Sequence, residues 1–111
     1  MEKYFKLSNY AITYSTRIKG DEIAHALQQF ADKLSKNDSL VIDFNGVKAV
    51  SYSFLDEFLS GLNKFDLLKE KEISIVGWSN SLLPAIEKSL QQRNCDYLPS
   101  KKERKLVCQS N

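Results

Sequence analysis

The stretch from Ser39 to Leu62, SLVIDFNGVKAVSYSFLDEFLSGL, leaves the chain few ways to fold. Leu40, Val41, Ile42 and Phe44 form a β-rich apolar run of strand length, with Asp43 near its end. Asn45-Gly46 follows as a turn signal, and Val47, Ala49 and Val50 carry a short extended link to Ser51-Tyr52-Ser53. Beyond Ser53 the apolar residues fall at Leu55, Phe58, Leu59 and Leu62, the spacing of one helix face. A buried strand, a polar turn and a helix in that order bring a hydroxyl to a helix N-terminus beside a sheet edge. Anions and partner proteins dock at such places, so the layout suits regulation better than catalysis.

The flanking sequence supplies more elements of both kinds. Tyr10, Ile12 and Tyr14 alternate with smaller residues, which predicts a strand over Tyr10 to Thr16. Met1 to Asn9 reads as a short edge strand or a loose segment. From Gly20 to Lys36, Ile23, Ala26, Leu27, Phe30, Ala31 and Leu34 line one helix face, with Asp21 and Glu22 placed for its first turn. The central helix runs from about Ser53 to Leu67. Ile73, Ile75 and Val76 predict another strand, stopped at Gly77-Trp78. Ser79, Asn80 and Ser81 offer caps for a last helix through Leu82, Leu83, Ile86 and Leu90, with Pro84 in its first turn and its end near Arg93-Asn94. Cys95 to Leu98 reads as a short final strand. The order β-α-β-α-β-α predicts an α/β fold, a mixed sheet of about four strands with three main helices packed against it.

Composition narrows the function classes. A chain of 111 residues is of single-domain size, and no apolar run approaches the length of a membrane span. The N-terminus mixes charges with aromatics and lacks a signal-peptide core, which implies a cytoplasmic protein. Net charge is +2, and the segment after Leu98 holds Lys101, Lys102, Arg104 and Lys105 against Glu103. The body up to Leu98 is therefore nearly neutral, and nucleic acid is not an expected partner. This reading divides the chain into a domain over 1–98 and a basic, flexible tail over 99–111. Cys95 and Cys108 form no disulfide framework and have no metal-site spacing, and no glycine-rich phosphate loop is present. No cofactor or metal is expected, and His25, alone on its helix, reads as a surface or boundary residue.

The central motif resembles that of the STAS domains (sulfate transporter and anti-sigma-factor antagonist). Those domains carry a strand, a D-l-s-g-v-x-x-i-D-S-S-G-L pattern and a helix, and Asp43, Gly46, Val47, Ser53 and Leu55 fall on matching positions without a gap. Ser51 stands where the antagonists have an aspartate, and Phe54 where they have a glycine. Both departures are similar to a bacterial STAS-like branch of unknown function, with D-F-x-G-V followed by S-F-x-D-E. Here those motifs are Asp43 to Val47 and Ser53 to Glu57. Thr16-Arg17 looks like a serine-arginine pair of the same branch, and the resemblance covers roughly Ser15 to Asn94. It implies a STAS-like fold, no enzymatic activity and a protein partner of the histidine-kinase-like ATPase class. Ser53 lies where the antagonists carry the serine that such a partner phosphorylates.

Each candidate residue also has a purely structural reading. Ser53 reads first as the N-cap of the helix, with Asp56 three residues on completing a box. A phosphate on Ser53 would be favoured by the helix dipole and repelled by Asp56 and Glu57. Those acids with Asp43 are too few for a hard-cation site and suit the macrodipole instead. Phe54 and Trp78 follow strands whose C-terminal ends share one side of the sheet, so they form an aromatic patch if exposed and core if not. The expected partner surface thus comprises Ser51, Phe54, Asp56 and Trp78 around the phosphoacceptor candidate Ser53. The alternative is a small-anion or nucleotide site at the same helix N-terminus.

Overall fold

The structure, a computed structural model, describes residues 1–100 and 103–109. The strands are β1 (Glu2–Lys6), β2 (Thr13–Tyr14), β3 (Ser39–Asp43), β4 (Ala49–Val50), β5 (Ile73–Val76), β6 (Asp96–Ser100) and β7 (Lys105–Gln109). The α-helices are α1 (Arg17–Asp32), α2 (Tyr52–Lys64), the four-residue α3 (Leu67–Glu70) and α4 (Leu83–Gln92). Five strands form the main sheet in the order β1-β3-β5-β7-β6. β1, β3 and β5 run parallel, and β7 and β6 complete the sheet antiparallel. The fold is α/β with a mixed sheet, as expected.

Position in the sheet explains the strand sequences. β3 has strands on both sides, and its Leu40, Val41, Ile42 and Asp43 are all buried. β1 buries only Phe5 and keeps charged residues on either side, as an edge strand does. The crossovers β1-α1-β3 and β3-α2-β5 step the same way across the sheet. Right-handed connections therefore put both helices on one face. That face carries Phe5, Leu40, Ile42, Ile73, Ile75, Leu106 and Cys108, all members of the core. The cross-strand row Tyr4, Val41, Ser74, Val107 and Leu98 points the other way by the period of two.

α2 supplies most of the helical core. Phe54, Leu55, Phe58, Leu59 and Leu62 are fully buried, each contributing about 2 kcal/mol over an exposed position. α1 packs against it at close range because Gly20 has no side chain. A Cβ there would stand 2.6 Å from the Phe54 carbonyl oxygen and 2.9 Å from Glu57 Cβ. α1 starts at Arg17, where Thr16 caps it, rather than at Gly20, so Asp21 and Glu22 lie beyond its first turn.

Three expectations need correction. The main sheet has five strands rather than about four, and a separate two-stranded parallel pair joins β2 to β4. The strand expected over Tyr10 to Thr16 shrinks to Thr13–Tyr14, because the 3-10 turn over Leu7–Asn9 redirects the chain and leaves Tyr10 and Ile12 half exposed. The segment expected as a tail supplies strands instead. β6 extends to Ser100, and β7 lies between β5 and β6 with Leu106 and Cys108 buried. Its charged lead-in hides a two-residue apolar alternation in the sequence, and Pro99 is tolerated because β6 is an edge. Lys101 and Lys102 of the expected tail lie outside the described residues.

Candidate functional site at the N-terminal end of α2

β2 and β4 lead their chains side by side into α1 and α2, which brings the two helix N-termini together. Ser51, not Ser53, is the N-cap of α2. Its backbone is extended, its Oγ accepts from the Phe54 N–H at 3.1 Å, and its own N–H donates to the Tyr14 carbonyl at 2.8 Å. The Tyr14 bond anchors the chain two residues earlier than periodicity indicates, so Ser53 falls inside the first turn, half-buried. The box expected between Ser53 and Asp56 is absent, because Asp56 turns to other partners.

Asp56 is held between two arginines from different helices. Its Oδ2 receives Arg17 Nη1 from the start of α1 at 2.8 Å, and its Oδ1 receives Arg93 Nη2 from the end of α4 at 2.7 Å. Arg93 also donates to the Asp56 carbonyl at 2.7 Å, and Ser89 Oγ reaches Oδ1 at 3.4 Å. Burial pushes the Asp56 carboxyl up, but the Arg17 hydrogen bond and the charges of Arg93 and Arg17 outweigh it, so it titrates below its ordinary value. The same hydrogen bond raises the Arg17 guanidinium. Glu57 Oε1 stands 3.9 Å from Arg17. The two acids of this turn thus face two arginines, and the local charge is balanced.

The aromatic patch does not form. Phe54 is 0 % exposed, stacked on Tyr14 at 4.4 Å and on Phe58 at 5.7 Å between ring centres. It fills the space beneath β2 from the first turn of α2, on the side that faces α1. Trp78 is 3 % exposed and also belongs to the core. Neither ring can anchor a partner as the chain is folded. Of the expected surface, Ser51 is committed to the cap, Asp56 to its arginines, and Ser53 alone has a hydroxyl free of the capping role.

Sequence reasoning named Arg17 only through the family resemblance and missed Arg93 and Ser89. A basic residue at a helix C-terminus is too common a signal to single out Arg93. Tyr52 donates to Gln92 Oε1 and lies under Lys88 Nζ, 4.7 Å from the ring centre, tying α2 to α4 again. His25 is an exposed residue set edge-on to Phe65, as its isolation in the sequence predicts. Among the described residues no group of three or more His, Cys, Asp or Glu comes together to hold a metal ion. Burial pushes the Cys108 thiol up to about 12, which leaves it without thiolate reactivity. Among the described residues no helix is long and apolar enough to cross a membrane.

A second polar feature lies at the carboxyl ends of β3 and β5. A cleft of about 560 Å³ opens between the turn after β3, the turn after β5 and the β6–β7 connection. Trp78 forms part of its wall, and the indole Nε1 is buried without an acceptor among the described residues. An unmatched buried donor of this kind costs about 1–3 kcal/mol. Gly77 allows the walls to meet, with φ of 76° and a position where a Cβ would stand 2.6 Å from the Asn45 nitrogen.

The segment 27–81, from α1 through β3 and α2 to the turn after β5, matches the family described as a STAS-like domain of unknown function. No curated protein and no solved structure matches the chain. The matched segment contains Asp43 to Val47 and Ser53 to Glu57, the two motifs on which the resemblance rests. That match supports a STAS-like domain over 27–81, a description that names a fold and leaves the function open.

Proposed function

We propose that the chain is a non-enzymatic regulatory module that binds a protein partner through the N-terminal end of α2 and is switched by phosphorylation of Ser53. The partner is a kinase-like ATPase of the anti-sigma-factor class. The observation that carries this reading is the pairing of Asp56 with both Arg17 and Arg93 one turn after Ser53. Sequence alone sets two carboxylates against a phosphate at this position. With Asp56 neutralised and the Arg17 side chain 51 % exposed beside it, that repulsion falls and a cation stands within the same cluster. Ser51 holds the cap, so a modification at Ser53 does not dismantle the helix start. STAS-like domains are typically non-catalytic, which supports the non-enzymatic part of this reading.

The alternative, an anion seated on the α2 N-terminus at Ser53, has less support. The Phe54 N–H that would hold it already donates to Ser51.

The test is intact-mass and peptide mass spectrometry of the protein recovered from its source organism, paired with pull-downs using Ser53→Ala and Ser53→Glu. A single phosphate at Ser53 and a partner whose capture differs between the two variants support the reading. An unmodified serine with identical partners on both variants would refute the switch.

A further inference from the structure

We infer that the cleft at the carboxyl ends of β3 and β5 binds a phosphate-bearing small molecule. Open α/β sheets place ligands outside the carboxyl ends of parallel strands, and this cleft occupies that position. Its volume, about 560 Å³, lies within the range of small-molecule sites. The lining is of one charge sign. Lys48 comes from the turn after β3 and Arg104 from the β6–β7 connection, and no carboxylate lines the cleft among the described residues. Two cationic residues on separate connections that line one space, with no acid beside them among the described lining residues, favour an anion.

The neutral groups fit the same occupant. Asn45, Ser79 and Ser81 add side chains able to donate, and the two serine hydroxyls already face each other at 3.0 Å. Asp43 lies beneath the loop, 6 % exposed, and accepts the Asn45 N–H at 2.8 Å, so it is covered and satisfied. The strongest pointer is Trp78. Its side chain is buried in the cleft wall, and its N–H meets no acceptor among the described residues. A phosphate oxygen supplies the acceptor that the protein does not. The nitrogen is itself covered, so contact with it requires the cleft wall to give slightly.

The inference is independent of the Ser53 switch, since none of these groups lies on α2. Trp78 is the single tryptophan, so its indole N–H gives one resonance that reports on the cleft directly. The ¹⁵N-labelled full chain is titrated with inorganic phosphate, pyrophosphate and adenosine 5′-monophosphate at constant ionic strength set by sodium chloride. The expected result is a saturable downfield movement of the indole proton with at least one probe, accompanied by the amides of Asn45, Lys48, Ser79 and Ser81. The Lys48→Gln, Arg104→Gln double variant, with its fold verified by the remaining amide spectrum, raises the Kd by about tenfold or more. Trp78→Phe, read through the Ser79 and Ser81 amides, weakens binding while keeping the wall in place. A stationary indole resonance with all three probes at millimolar concentration overturns the inference. So does a shift unchanged in the double variant, or one confined to the Ser51 to Asp56 amides.

Discussion

Gly20→Ala provides a test in which two physical effects predict opposite signs. Alanine is the better helix former, and in an exposed helix interior the exchange stabilises by about 1 kcal/mol. Gly20 is buried at the crossing of α1 and α2, however, and its new methyl would meet backbone. The contacts are 2.6 Å to the Phe54 carbonyl oxygen, 2.9 Å to Glu57 Cβ and 3.2 Å to the Phe58 nitrogen. Ordinary carbon–oxygen contact begins at about 3.3 Å, so the helices must separate by a sizeable fraction of an ångström. Two of the three contacts are main-chain atoms that cannot rotate away. Overpacking of this kind costs about 1–3 kcal/mol, and the rigid partners favour the upper end. Less the propensity gain, the net destabilisation is about 1–2 kcal/mol, or a fall in Tm of roughly 5–10 °C for a domain of this size. Urea unfolding followed by the Trp78 fluorescence measures it. A variant as stable as the parent, or more so, would show that α1 and α2 do not approach as closely as described.

Other expected outcomes bear on the site and the sheet. Ser51→Ala removes the α2 cap and costs about 1 kcal/mol, whereas Ser53→Ala changes stability by less than about 0.5 kcal/mol; equal effects in denaturant unfolding would mean that the cap is wrongly assigned. The folded-state pKa of Asp56 lies below its unfolded value, so its pairing stabilises the fold above the unfolded carboxylate range and is lost as pH falls through the folded pKa. Asp56→Asn should therefore destabilise at neutral pH and flatten the acid side of the stability curve, a change readable in urea midpoints collected across pH. Truncation after Ser100 removes β7 with the buried Leu106, and the shortened chain should lack a cooperative thermal transition by circular dichroism. A native-like melt of that fragment would restore the view of the C-terminal segment as a tail.

How much of this was legible depended on the distance over which each signal acts. The strand over Ser39–Asp43, the turn at Asn45-Gly46 and the apolar face of α2 are set by near neighbours, and they appear where the periodicity puts them. Pro84 falls in the first turn of α4 for the same reason. The choice between Ser51 and Ser53 as cap was less legible, because both hydroxyls precede an apolar run. It was settled by the bond from the Ser51 N–H to Tyr14, a residue on another element. β7 was missed because a five-residue strand beginning with lysine shows only Leu106 and Cys108 as core residues. Its partners, β5 and β6, are what make it a strand.

The amino-acid order by itself determined the alternation of strands and helices, the family motif and the position of a serine-rich segment at a helix start. Those follow from backbone propensity and from repeats of two and of three to four residues, which operate within a single element. Only the tertiary structure decided that Phe54 and Trp78 are buried, and that Asp56 is shared between Arg17 and Arg93, which lie 39 and 37 positions away. It also brought Lys48, Trp78 and Arg104 around one cleft. Burial and charge pairing depend on which remote surfaces meet, and no local pattern encodes that meeting.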